Sequence, residues 1–275
     1  MKKSLLPFLS LFILVTFFSC ENEPLDFDLS ALDSTNSGSS GNLSNIGTPG
    51  GNSTGDYWPM SLNNKWEYNY YIDGFPQDDS IMEISALEDY LGLPSYRYDQ
   101  FMGIANGTDG TMGQDLEVSI YSAKNGGDYH VSVDNLSITV EGIYDISQNG
   151  YSYIMLKDYE DVGATWTEEY QIITSTTVLM DGLQEIPDTV MNVTINNEIL
   201  AKDISVEVNG TTYAPVIKVK ANSTYQMAGV PNSSSENIYY FAKDIGIIKS
   251  EGTIYDGDDN ITTTSLTELY NVTLY

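Results

Sequence analysis

The stretch KWEYNYYIDG, residues 65–74, places Trp66, Tyr68, Tyr70 and Ile72 at every second position, with Glu67, Asn69 and Tyr71 between them. Side chains two apart share one face of a strand, so this spacing predicts a half-buried strand and argues against a helix of period 3.6. The stretch closes on Asp73-Gly74, a pair that supplies the positive φ of a two-residue hairpin turn. The same signal recurs at Asn106-Gly107, Asp109-Gly110, Asn125-Gly126, Asn149-Gly150, Asp181-Gly182, Asn209-Gly210 and Asp256-Gly257. In the terminal run Leu266, Tyr270, Val272 and Leu274 share a face interrupted by Glu268. No long segment from Asp56 onward keeps a helical period. Residues 56–275 are therefore expected to form an all-β, antiparallel single domain, long enough for one core.

One internal echo stands out. Leu62-Asn63-Asn64-Lys65-Trp66 with Tyr68 is matched by Val162-Gly163-Ala164-Thr165-Trp166 with Tyr170. Both read as a turn leading into a strand opened by Trp. Stretches this short fit coincidence as well as duplication.

The N-terminus reads differently. Lys2 and Lys3 precede an apolar run from Leu5 to Phe18. A membrane-crossing helix needs about 20 apolar residues, so the run reads as a cleaved secretory signal. It ends Phe17-Phe18-Ser19-Cys20, at the chain's single cysteine. This resembles a bacterial lipoprotein signal, with Phe17 standing where that family commonly has leucine. The resemblance implies removal of residues 1–19, a diacylglyceryl group on the sulfur of Cys20 and acylation of the new amino terminus. The alternative is a plain cleaved signal with an incidental free thiol at Cys20. One acyl chain binds a membrane marginally, at about 0.8 kcal/mol per buried methylene, so stable attachment needs two or three.

Behind Cys20 come Glu21, Glu23, Asp26 and Asp28, then a stretch of mainly Ser, Gly, Asn and Thr from Ser30 to Gly55. Such a segment buries too little apolar surface to offset its ordering entropy. Residues 20–55 thus read as a lipidated, disordered tether, with a reach of roughly 30–35 Å. The acidic residues resemble the export signal that sends lipoproteins of Bacteroidota to the cell surface. That implies an outer-membrane lipoprotein, surface-exposed or periplasmic, held to the membrane by its N-terminal lipid.

Charge excludes one class of partner. The chain carries 39 acidic and 11 basic residues, a formal charge of −28 that becomes −30 once Lys2 and Lys3 leave with the signal. Nucleic-acid binding draws on clustered Lys and Arg, and none cluster here.

Few residues offer chemistry. His130 is the only histidine, no G-x-S-x-G turn presents a serine, and His/Cys zinc sites cannot be assembled. His130 lies in the alternating run Tyr129-His130-Val131-Ser132-Val133 and reads as a surface or hydrogen-bonded residue. Glu168-Glu169 and Asp158 with Glu160-Asp161 offer carboxylates, but adjacent strand positions face opposite ways and form no acid–base pair by themselves. The loop Asp256-Gly257-Asp258-Asp259-Asn260 has oxygen ligands suited to calcium. It has Ile261 and Thr267 where an EF-hand has glycine and glutamate, and reads as a solvated hairpin tip. No catalytic residue, metal or cofactor is expected, and the chain does not read as an enzyme.

Aromatic content is the remaining signal, with 21 Tyr, 8 Phe and 3 Trp. These rings can stack on sugars or line a greasy cavity, and they also simply suit a pleated half-buried surface. The triplets Asp33-Ser34-Thr35, Asp79-Ser80-Ile81 and Asp188-Thr189-Val190 resemble acceptor sites for the O-glycosylation of Bacteroidota.

Longer landmarks carry a second resemblance. Asp56-Tyr57-Trp58-Pro59-Met60 through Trp66-Glu67-Tyr68, Val162 to Trp166, Val216-Ile217-Lys218-Val219 and Tyr239-Tyr240-Phe241-Ala242-Lys243-Asp244-Ile245-Gly246-Ile247-Ile248-Lys249 resemble landmarks of Bacteroidota lipoproteins of no established activity. Those proteins carry a "YFPL…GNxWxY" opening and a "YYAxxVGxIK" element near the end. Here Asn64 stands at the glycine-asparagine pair and Trp58 replaces the usual Phe or Tyr. The resemblance implies a curved antiparallel sheet or incomplete β-barrel, somewhat like lipoprotein carriers. Two functions follow: a non-catalytic binding module for an apolar or glycan ligand held on the concave face, or a structural or protein-interaction lipoprotein whose sheet is filled by its own side chains. In either, Trp66, Tyr68 and Tyr70 are core or floor.

Overall fold

Alternating β-branched and aromatic residues, punctuated by turn pairs, give sixteen strands in one sheet and no helix among the described residues. The computed structural model describes residues 47–275 apart from Gly103, Asn106, residues 110–113, Glu141, Asp181 and Leu183. The backbone alone is described at 104, 105, 107–109, 114–116 and 135. The signal, Cys20, most of the tether and the Asp33 triplet lie outside the described residues.

In chain order the strands are β1 (Lys65–Ile72), β2 (Phe75–Pro76), β3 (Ser80–Tyr90), β4 (Leu93–Phe101), β5 (Ile104–Ala105), β6 (Gly107–Asp109), β7 (Gln114–Asn125) and β8 (Asp128–Val140). They continue as β9 (Tyr144–Gln148), β10 (Tyr151–Lys157), β11 (Thr165–Val178), β12 (Ile186–Val208), β13 (Thr211–Met227), β14 (Ser233–Ala242), β15 (Gly246–Tyr255) and β16 (Ile261–Thr273). Pairing runs β1-β3-β4-β7-β8-β9-β11-β12-β13-β14-β15-β16 and returns to β1, all antiparallel. The sheet is thus a closed twelve-stranded barrel rather than an incomplete one, closed by its first and last strands, where Trp66 faces Val272 and Tyr70 faces Thr267. Closure pairs most of the edges that an open sheet would expose, and leaves a seam without a ladder between β10 and the first half of β11.

Register decides what points inward. In β1 Trp66 and Tyr68 are fully buried, as their alternation predicts. The terminal run departs from its expected face. A bulge opposite Glu67/Tyr68 leaves Tyr270 out of the ladder, so Thr267 and Leu269 turn inward while Leu266 and Glu268 turn outward. An extra residue shifts every later side chain to the other face, which simple alternation cannot register.

Turn signals fare unevenly. Asp73-Gly74 and Asn209-Gly210 adopt the positive φ values a tight hairpin needs. Leu91-Gly92 makes the β3–β4 turn with φ of 53° and 78°, a position that composition does not flag because leucine is not a turn residue. Asn149-Gly150 is no hairpin: it joins β9 to β10, both paired to β8. The Asn149 side chain donates to the Gln171 carbonyl and accepts from the Ile173 amide, standing in for backbone on the edge facing β11. Residues of the signals at 106, 110 and 181 lie outside the described residues.

The echo is a geometric equivalence. Asn63 N donates to Ile84 O at 2.9 Å and Ile84 N to Asn64 O at 3.0 Å; Gly163 N donates to Ile199 O at 2.8 Å and Ile199 N to Ala164 O at 3.0 Å. Each turn feeds an inward Trp whose indole donates to a distant carbonyl, Trp66 to Ile245 and Trp166 to Ile154. Their strands, β1 and β11, sit half a ring apart.

One end of the barrel is sealed. Bulges at 199–206 bend the β12–β13 hairpin over it, where Val208 and Val216 are buried and Asn209 donates to the Leu269 carbonyl of β16. Beneath, Trp58 meets Tyr98, Phe101 and Phe241 at ring-centroid distances of 6.2–6.3 Å.

Residues 47–55, read above as the end of the tether, bond onto this same end. Gly50 N donates to Asn125 O and Gly127 N to Gly51 O, so the segment lies along the β7–β8 turn. Asp158, with no exposed surface, receives Ser53 Oγ at 2.6 Å, Thr54 N at 3.1 Å and the Tyr129 hydroxyl at 3.3 Å, with Lys124 Nζ at 4.0 Å. Glycine composition looks disordered, yet here it permits close approach: a Cβ on Gly51 would lie 2.4 Å from the Tyr159 ring.

Candidate functional site: the tyrosine-lined lumen

Away from the sealed end, the inward side chains change character. On β10 and β11 they are Tyr151, Tyr153, Trp166, Glu168, Tyr170 and Ile172; on β12–β14 they include Val193, Ile195, Asn197, Ala221, Tyr225 and Tyr239. Tyr151 stacks on Tyr170 at 4.5 Å and 3°, and Tyr153 lies 6.3 Å from Tyr170 at 18°. These rings pack on a small cluster of Ile172, Val193, Ile195 and Ala221, separate from the main core. The facing wall is made of small residues, Ser235, Asn237, Ser250, Gly252 and Ser265. A Cβ at Gly252 would meet Ser265 Oγ at 2.4 Å, so a larger residue there displaces that hydroxyl.

Exposure separates this half from the other. Trp58, Trp66 and Tyr68 are fully buried, whereas Tyr151, Tyr153, Tyr170, Tyr225 and Tyr239 point inward and remain half-buried. Part of each of these inward rings is therefore reached by solvent. Surrounding protein still pushes the ionisation of the Tyr151, Tyr153, Tyr170 and Tyr239 phenols upward, so their hydroxyls stay neutral. Those four hydroxyls bond to no other described residue, while Tyr225 Oη lies 3.2 Å from Ser235 Oγ.

Two further polar groups belong to this lumen. Asn197 is 2% exposed, and its amide nitrogen has no partner among the described residues. Glu168 sits where β10 parts from β11; burial pushes its carboxyl up to about 7, against the Lys157 charge and a hydrogen bond from the Ile154 backbone, with Asp128 adding a smaller upward push. Glu169 is exposed on the outer face. Rings lining a cavity are one of the two readings that the tyrosine content allows, and Glu168 is a carboxylate that the sequence singles out, pointing away from Glu169 as alternation requires; the particular rings and Asn197 emerge only from register.

Other candidates fall elsewhere. Tyr70 lines the wall half-buried, between the packed core and the lumen. His130 lies on the outer face opposite Ala123 and Ile154, buried enough to push its imidazole down to about 4, with Asp128 raising and Lys157 lowering it. The Ser132 and Ser152 hydroxyls bond each other at 2.8 Å. Asp158 is the structural hub described above. In the Asp256 loop, Asp256 Oδ1 already accepts from Asp258 N and Asn260 N, both at 2.9 Å. Ser80 of the Asp79 triplet is buried, while Thr189 of the Asp188 triplet is half-buried. A shallow groove of about 390 Å³ lies over the outer face of β1, β15 and β16, lined by Tyr71, Glu251, Leu266 and Glu268.

No protein-family model matches the sequence, and no curated protein matches it. Two solved structures are similar. One is a protein of Parabacteroides distasonis ATCC 8503 described as a lipoprotein, 14% identical with a TM-score of 0.46, covering 81% of this chain and 100% of its own. The other is a protein of Bacteroides fragilis NCTC 9343 described as exported and of YmcC-like fold, 11% identical with a TM-score of 0.41, covering 79% of this chain and 98% of its own.

Proposed function

We propose that the chain is a lipid-anchored envelope protein, attached through Cys20 to the outer membrane, whose barrel binds a ligand without chemically altering it. The observation that carries this reading is the half-buried state of five inward tyrosines within a barrel whose opposite half is fully packed. A barrel that needed only stability would fill both halves alike, since a void forfeits dispersion contacts on every side chain that lines it. The ligand is apolar or a glycan, as ring faces accept either. The packed, capped half favours a second reading, a structural envelope protein whose outer surface does the work. Screening the purified protein against lipids and glycans, with Trp166 fluorescence as reporter, separates them. Binding that is lost in Tyr170→Ala with the fold retained supports the first reading; no binding of either class leaves the second.

A further inference from the structure

Resting on the lumen reading above, the polar groups among the tyrosines restrict the ligand. We infer that the lumen takes a neutral, polyhydroxylated ring compound, a saccharide, in preference to an acyl chain. Asn197, on the inward face of β12, holds a buried amide nitrogen, a donor with no partner among the described residues. Glu168 neighbours it diagonally on β11, a separation of about 7–8 Å, and presents a carboxyl able to accept or donate. The hydroxyls of Tyr151, Tyr153, Tyr170 and Tyr239 lie free around them and can do both. Ser223, Ser235 and Asn237 complete the wall.

An acyl chain placed among these groups would strip their water and return no hydrogen bond. Each group so stranded lowers affinity by roughly tenfold or more. A sugar hydroxyl donates and accepts, matching the amide, the carboxyl and the phenols together, while the sugar's C–H face lies on the stacked Tyr151 and Tyr170 rings. Charge narrows the choice further. Lys218, Lys220 and Lys249 pair with outward positions, so β13 and β15 present no cation to the lumen, and Glu168 disfavours an anion.

The test titrates the full purified protein with a panel of neutral hexose and pentose oligosaccharides and, separately, with oleate, by calorimetry at pH 7. Tyr170→Phe and Tyr153→Phe keep the rings and remove only hydroxyls; each should weaken saccharide binding roughly three- to tenfold. Asn197→Ala should weaken it about tenfold or more, and the two phenylalanine variants keep the test valid if Asn197→Ala fails to fold. Saccharide binding unaffected in both phenylalanine variants would overturn the inference. So would oleate binding in the lumen without saccharide binding, a result that keeps the lumen reading and removes only the ligand class. Binding of neither would remove both.

Discussion

Replacing Asp158 by alanine is the sharpest test of how the N-terminal segment is tied to the barrel. The carboxylate is fully buried and accepts from Ser53 Oγ, Thr54 N and Tyr129 Oη, with Lys124 Nζ 4.0 Å away. Hydrogen bonds to a charged group contribute about 1.5–3 kcal/mol each, but their shared acceptor makes them non-additive. The better guide is the cost of stranding buried donors, about 1–3 kcal/mol each and more where the lost acceptor is charged, summed short of additivity over the donors that Asp158 holds. Asp158→Ala should therefore cost about 3–5 kcal/mol, and Asp158→Asn, which keeps one acceptor oxygen, about 2–3 kcal/mol. Urea unfolding followed by tryptophan fluorescence measures the loss. Amide exchange measures its location: Gly127 N, which donates to Gly51 O, should exchange faster while the β11–β12 ladder keeps its protection. A loss below about 1 kcal/mol, or unchanged exchange at Gly127, would refute the view that Asp158 holds this segment.

Three further outcomes are expected. Burial keeps Glu168 protonated in the fold up to about pH 7, against 4.5 for a free carboxyl, so its contribution to stability is full below 4.5 and falls as pH rises to 7. Glu168→Gln should gain about 1–2 kcal/mol at pH 8, after discount for solvent screening, and nothing at pH 4, as thermal melts will report. His130 stays neutral in the fold down to about pH 4, against 6.5 unfolded, so stability should fall by about 2–3 kcal/mol between pH 6.5 and 4, and His130→Leu should flatten that decline in urea titrations. In the native host, Cys20→Ser should abolish palmitate labelling and release the protein from the membrane fraction; undiminished labelling would refute the anchor.

What the sequence made legible was local. Alternation at Trp66, Tyr68 and Tyr70 has a short-range physical cause, the two-residue period of a strand, and it assigned both class and inward face. Asn209-Gly210 was readable because positive φ strongly favours a few residue types. What stayed hidden was long-range or dependent on register. Barrel closure rests on pairing Trp66 with Val272, which no local pattern encodes. The bulge at Tyr270 reversed the expected face of Leu266. Glycines at 50 and 51 read as linker because composition reports side-chain burial, whereas these residues bond through backbone. In the site, abundant tyrosine was visible, but which rings meet across the lumen followed from β10 and β14 being brought together by intervening strands.

NMR of ring-labelled tyrosines during titration with the neutral oligosaccharide panel reads directly whether the lumen receives a ligand. Shifts should concentrate on Tyr151, Tyr153, Tyr170, Tyr225 and Tyr239, with the packed Tyr68 and the outward Tyr71 and Tyr240 unmoved. Shifts confined to Tyr71 and Tyr240 would put the ligand on the outer face, and no shift in any ring would mean the lumen holds none; either contradicts the lumen reading.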